Sequence, residues 1–106
     1  MVMTVPLCKA GDIRDGEMRH FELMGFDLMV VRLGEEWFAV DHLCTYSAGA
    51  KASWTLDREA RTVTCGVDRS VFSLETGEPV KPPATFPLEK YNIWVEGDDL
   101  MLEFVY

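Results

Sequence analysis

Apolar residues recur along the chain with a period of two, in short runs rich in Val, Ile, Phe, Tyr and Trp that are punctuated by Gly and Asp. That alternation puts successive side chains on opposite faces of an extended strand, whereas a helix needs a spacing of about 3.6. The pattern predicts an all-β fold of antiparallel sheets, with strands at residues 4–7, 17–23, 27–32, 36–41, 62–65, 71–73, 91–96 and 100–105. Gly25-Phe26, Gly34-Glu35 and Gly97-Asp98 read as the turns between them, since glycine reaches positive φ at no steric cost. The polar stretch 57–61 lies between Trp54-Thr55-Leu56 and Thr62-Val63-Thr64 and predicts another hairpin. Helix is expected only as a short turn within residues 9–15. Residues 81–87, with three prolines, are expected to form an ordered extended loop, because proline donates no ladder hydrogen bond.

At 106 residues and 48% hydrophobic content the chain suits one domain spanning 1–106 around a single core. No repeat, linker or low-complexity segment divides it. Trp37, Trp54, Trp94, Phe72, Phe86 and Tyr91 are expected in the core, with a rim beside the first cysteine loop as the alternative for Trp54. Ten basic against eighteen acidic side chains give a net charge of -8, with acidic pairs such as Glu35-Glu36 and Asp98-Asp99. Nucleic acid and anionic membrane are poor partners for such a surface, which attracts a basic protein instead. The opening Met1-Val2-Met3-Thr4-Val5-Pro6 has neither the charge nor the apolar run of a signal peptide. An odd count of three cysteines, without disulfide spacing, fits a reducing compartment. The expectation is a cytoplasmic protein.

The chemistry concentrates in two loops, Cys44-Thr45-Tyr46 and Cys65-Gly66-Val67-Asp68, which follow strand-like runs. The hairpin around 57–61 would bring Cys44 and Cys65 together. Nothing in the sequence resembles a phosphate-binding glycine loop, a Ser/His/Asp set or a pair of carboxylates for acid–base work, so catalysis is not expected. His42 reads as a polar strand end, His20 as a solvent-facing residue beside core Phe21, and Cys8 as a buried structural thiol in the opening turn.

The two loops resemble the metal-binding boxes of Rieske-type ferredoxins and of the small subunits of assimilatory nitrite reductases, CxH followed by CxxH. The likeness spans nearly the whole chain. Val5-Pro6-Leu7-Cys8-Lys9-Ala10-Gly11-Asp12-Ile13 resembles the family's opening, and Trp37-Phe38-Ala39-Val40-Asp41 the strand that feeds the first box. Ser73-Leu74-Glu75-Thr76-Gly77-Glu78-Pro79-Val80 is similar to the stretch after the second box, while Pro83-Ala84 and Pro87-Leu88-Glu89-Lys90-Tyr91 resemble the proline loop and the strand beyond it. The resemblance implies cluster-binding-like loops at about 43–53 and 64–72 and a covering proline loop at about 81–87.

It also implies a [2Fe-2S] cluster with two cysteines on one iron and two histidines on the other. Here Tyr46 and Asp68 stand where the histidines belong, Gly66 replaces the usual proline and Arg69 the usual glycine. The first box is one residue longer, with Ser47-Ala48 displacing Gly49. Three states stay open. The site is vacant, or Cys44, Cys65, Tyr46 and Asp68 hold a mixed-ligand cluster of lowered potential, or a single iron or zinc sits between Cys44, Cys65 and Asp68 with Tyr46 or water. The expected roles are an electron carrier serving a flavin reductase, oxygenase or nitrite reductase large subunit with a basic surface, or a cluster-free docking module.

Overall fold

The computed structural model describes residues 1–45 and 53–105. Ten strands follow one another: β1 (Val2–Lys9), β2 (Met18–Leu23), β3 (Phe26–Leu33), β4 (Glu36–Asp41), β5 (Trp54–Asp57), β6 (Thr62–Cys65), β7 (Val71–Ser73), β8 (Pro79–Lys81), β9 (Lys90–Glu96) and β10 (Asp99–Val105). The expected helical turn is a single 3-10 turn at Ala10–Asp12. The strands form two antiparallel sheets, one of six in the order β1-β10-β9-β4-β3-β2 and one of four in the order β5-β6-β7-β8.

The run Leu28-Met29-Val30-Val31 of β3 explains how the sheets pack. Leu28 and Val30 join Ile13, Ala39, Leu100, Leu102 and Phe104 in one apolar cluster, whereas Met29, Val31 and Leu33 join Phe38, Val40, Val63, Phe72 and Leu74 in another. Alternating side chains of one strand thus serve two cores, the second lying between the sheets. A strand buried on both faces has to read as a continuous apolar run.

Several expectations shift. β1 extends beyond 4–7 because it pairs with β10 from Val2 to Lys9. β8 was not predicted. It pairs with β7 through Phe72↔Pro79 and Val71↔Lys81, and it tolerates Pro79 because it is the outer strand of the small sheet. Cys8 lies within β1 at an irregularity of register between Pro6 and Cys8, not in a turn. It is only partly covered, and burial pushes its thiol up. Phe86 is 72% exposed, contrary to its expected core role, because buried Ala84 and Leu88 anchor the proline loop and leave the ring outside. Trp37 and Trp94 are half-buried rather than central, the former lying under the Arg32 guanidinium at 5.1 Å.

Arg61, with φ 59°, closes the β5–β6 turn. Its guanidinium donates to both carboxylate oxygens of Glu36 at 2.8 and 2.6 Å and to Glu75 at 2.5 Å, over the Phe38 ring at 5.0 Å. It therefore ties β4 of the large sheet to the small sheet. No helix among the described residues is long and apolar enough to cross a membrane.

Candidate functional site

Cys65 is the last residue of β6, and Cys44 follows β4 after a bend through His42 and Leu43. The β5–β6 hairpin pairs Trp54 with Cys65, and the Trp54 indole N–H donates to the His42 carbonyl at 2.6 Å. Trp54 is half-buried, packs against the core between the sheets and meets Phe72 edge to face, so it takes the core place expected of it and fastens the end of β4 to the small sheet. The two cysteine loops converge because this hairpin and this indole hold them.

The second loop is closed by the Cys65 N–H to the Ser70 carbonyl at 2.8 Å and the Arg69 N–H to the Cys65 carbonyl at 3.0 Å. Asp68 bridges both loops. Its Oδ1 accepts the Ser70 N–H at 2.9 Å, and its Oδ2 accepts the Cys44 thiol at 3.1 Å. Cys44 and Cys65 are 1% and 0% exposed, and the ligand atoms of Cys44, Cys65 and Asp68 all lie within 4.8 Å of one another. Of the four residues expected at the site, three meet. Tyr46 lies outside the described residues, as do residues 47–52 of the first loop.

The proline loop is joined to the same pocket. Ser70, fully buried, accepts the Ala84 N–H on Oγ at 2.9 Å, and the Thr45 hydroxyl donates to the Phe86 carbonyl at 2.8 Å. Phe86 and Val67 protrude from these loops, Val67 being 53% exposed.

Gly66 and Arg69 have local explanations. The Gly66 N–H donates to the Ser53 carbonyl at 2.7 Å, and a Cβ at Gly66 would stand 2.5 Å from that oxygen. Proline has no N–H to donate and would set its Cβ against that oxygen. Arg69 has φ 69°, so the left-handed backbone that suits glycine persists under a side chain that disfavours it.

A family model of the Rieske [2Fe-2S] domain matches residues 3–92. The chain belongs to the Rieske family. Among its relatives is the ferredoxin component of biphenyl 2,3-dioxygenase from Rhodococcus jostii, 31% identical over 100 residues that cover 92% of this chain and 89% of the relative. The ferredoxin of carbazole 1,9a-dioxygenase from Nocardioides aromaticivorans superposes with a TM-score of 0.84 at 24% identity, over 93% of this chain and 95% of that one. A chain from the complex of reduced oxygenase and oxidized ferredoxin in carbazole 1,9a-dioxygenase does so with a TM-score of 0.80 at 26% identity, over 93% and 91%.

A Rieske centre needs two thiolates and two neutral imidazoles. Among the described residues this Rieske pocket offers two thiols and a carboxylate, with the carboxylate already bonded to one thiol. Both histidines of the chain lie elsewhere. His42 and His20 stack on each other with ring centroids 3.9 Å apart and belong to a different donor group. The described donors therefore do not fit the two-thiolate, two-imidazole cluster of the family. Two thiolates and a carboxylate are donor types that a single zinc ion takes.

Proposed function

We propose that the protein is an accessory component of a multicomponent oxygenase or reductase, ferredoxin-like in shape, whose thiol pocket is altered from the bis-histidine iron–sulfur site. The observation that carries this reading is the Cys44–Asp68 hydrogen bond at 3.1 Å, which joins the two loops directly across the space between them. Such a bond uses the carboxylate that a second iron would have to take.

What remains intact is the loop end as a surface. Phe86 and Val67 are large exposed apolar side chains on loops tied together by the buried Ser70–Ala84 bond and the exposed Thr45–Phe86 bond. Apolar side chains at the centre of a contact and acidic charge around it suit docking to a basic redox partner, because the charge speeds encounter while apolar contact supplies affinity. The net charge of -8 supplies that field. A second reading, one iron or zinc on Cys44, Cys65 and Asp68, is favoured by the mutual spacing of their ligand atoms.

Visible absorption of anaerobically purified protein, with iron, zinc and acid-labile sulfide per chain, tests both. Colourless protein without sulfide is the expected result. One thiolate-bound metal without sulfide would establish the second reading, and two irons with two sulfides would overturn both and make the protein a lower-potential electron carrier.

A further inference from the structure

A second group of metal-ligating side chains stands apart from the thiol pocket. His20 on β2, Asp27 on β3 and His42 just beyond β4 come from three adjacent strands of the large sheet, and their ligand atoms lie within 4.8 Å of one another. We propose that His20, Asp27 and His42 form a binding site for a single divalent transition-metal ion of the zinc class.

The geometry is directional. His20 Nε2 contacts Asp27 Oδ1, and His42 Nδ1 points at the same oxygen from 3.7 Å, too far for a hydrogen bond. The two rings lie parallel to within 15°. Two imidazole nitrogens thus converge on one carboxylate. His42 Nδ1 is sealed from solvent and has no hydrogen-bond partner among the described residues, an arrangement that is costly unless something else satisfies it. A metal ion between the nitrogens and the carboxylate would do so.

The backbone fixes two of the ligands to each other, since the His42 N–H donates to the Asp27 carbonyl at 3.0 Å. The third arrives by the register of the β2–β3 hairpin, where His20 faces Met29 and Glu22 faces Asp27. Two imidazoles and one carboxylate suit zinc, iron, nickel or copper, whereas magnesium and calcium prefer oxygen alone. A cavity of about 150 Å³, lined by His20 and His42 together with Met18, Arg19, Met29, Ser53 and Trp54, opens beside the two imidazoles and leaves room for water to complete the coordination. The inference does not depend on what the cysteines hold.

Zinc and cobalt titrations of the full-length protein test it, alongside His20→Ala and Asp27→Asn. Cobalt separates the two pockets, because a thiolate-bound ion shows sulfur-to-metal charge transfer in the near ultraviolet and one held by nitrogen and oxygen does not. The expected result is one equivalent of cobalt, displaced by zinc, whose visible ligand-field bands carry no charge transfer of their own, whether or not a second, thiolate-bound equivalent adds such a band. His20→Ala and Asp27→Asn should each weaken it by about tenfold or more. Because the His20 side chain is 43% exposed, His20→Ala should keep the wild-type circular dichroism. Should either variant lose its fold, imidazole proton shifts of the wild type on adding zinc, confined to His20 and His42, carry the test. Absence of nitrogen-bound cobalt in the wild type, or equal affinity in folded variants, would overturn the proposal.

Discussion

Cys44 and Asp68, 24 residues apart in the chain, meet through a thiol-to-carboxylate hydrogen bond of 3.1 Å. The other carboxylate oxygen accepts the Ser70 N–H. Asp68→Ala should therefore release two donors at once and cost about 1–3 kcal/mol, while Asp68→Asn, which can still accept from Ser70, should cost less. Urea unfolding of the two variants against the wild type checks the order.

Ser70 is the buried joint between the second cysteine loop and the proline loop. Ser70→Ala would leave the Ala84 N–H without its acceptor inside the protein. A loss of about 1–3 kcal/mol is expected in thermal or urea unfolding, larger than for an exposed serine, where such changes stay within about 0.5 kcal/mol.

Gly66 and Arg69 should respond in opposite senses to restoring the family residue. Arg69→Gly relieves a left-handed conformation and should stabilise by about 0.5–1 kcal/mol, the relief of strain exceeding the added chain entropy. Gly66→Pro deletes the N–H bonded to Ser53 and brings carbon against the Ser53 carbonyl, so it should destabilise by about 3 kcal/mol or more. Differential scanning calorimetry of the two single variants measures both signs. Two stabilising substitutions would show that the Ser53 contact is dispensable.

The Arg61 guanidinium holds the Glu36 carboxyl below its ordinary value of 4.5. A carboxyl depressed in the folded state adds stability above its unfolded pKa and loses it as pH falls through the folded value. Acidification from about pH 5 to pH 3 should therefore weaken the fold, with Asp15 and Glu17 acting in the same sense through Arg58 and through the Arg14 N–H and Arg19. Asp41 opposes them, because burial raises its carboxyl despite the Tyr91 hydroxyl bonded to it. Glu36→Gln should flatten this acid limb without abolishing it. A series of urea midpoints across that range in both proteins reads the difference.

Most strands are legible because they show their own alternation or apolar run. Residues 36–41, 62–65 and 71–73 have the bounds expected of them. β8 was hidden by Pro79, which argues against a strand unless the strand is known to lie at an edge, and that is a property of the assembled sheet. The hairpin between the loops implies the meeting of Cys44 and Cys65, and Asp68 enters through the family's second box. His20 and His42 were read singly, as a surface residue and a strand end, and their stacking stayed out of sight. The register of the β2–β3 hairpin, set by the turn at Met24-Gly25, was the available signal for His20 and Asp27. His42 needed the β3–β4 pairing as well. Phe86 misled because a large aromatic was assumed to be inside, whereas its loop is anchored by smaller neighbours.

The bond from the Thr45 hydroxyl to the Phe86 carbonyl ties the residue after Cys44 to the proline loop. A contact at the exposed Phe86 ring therefore lies one hydrogen bond and one residue away from Cys44.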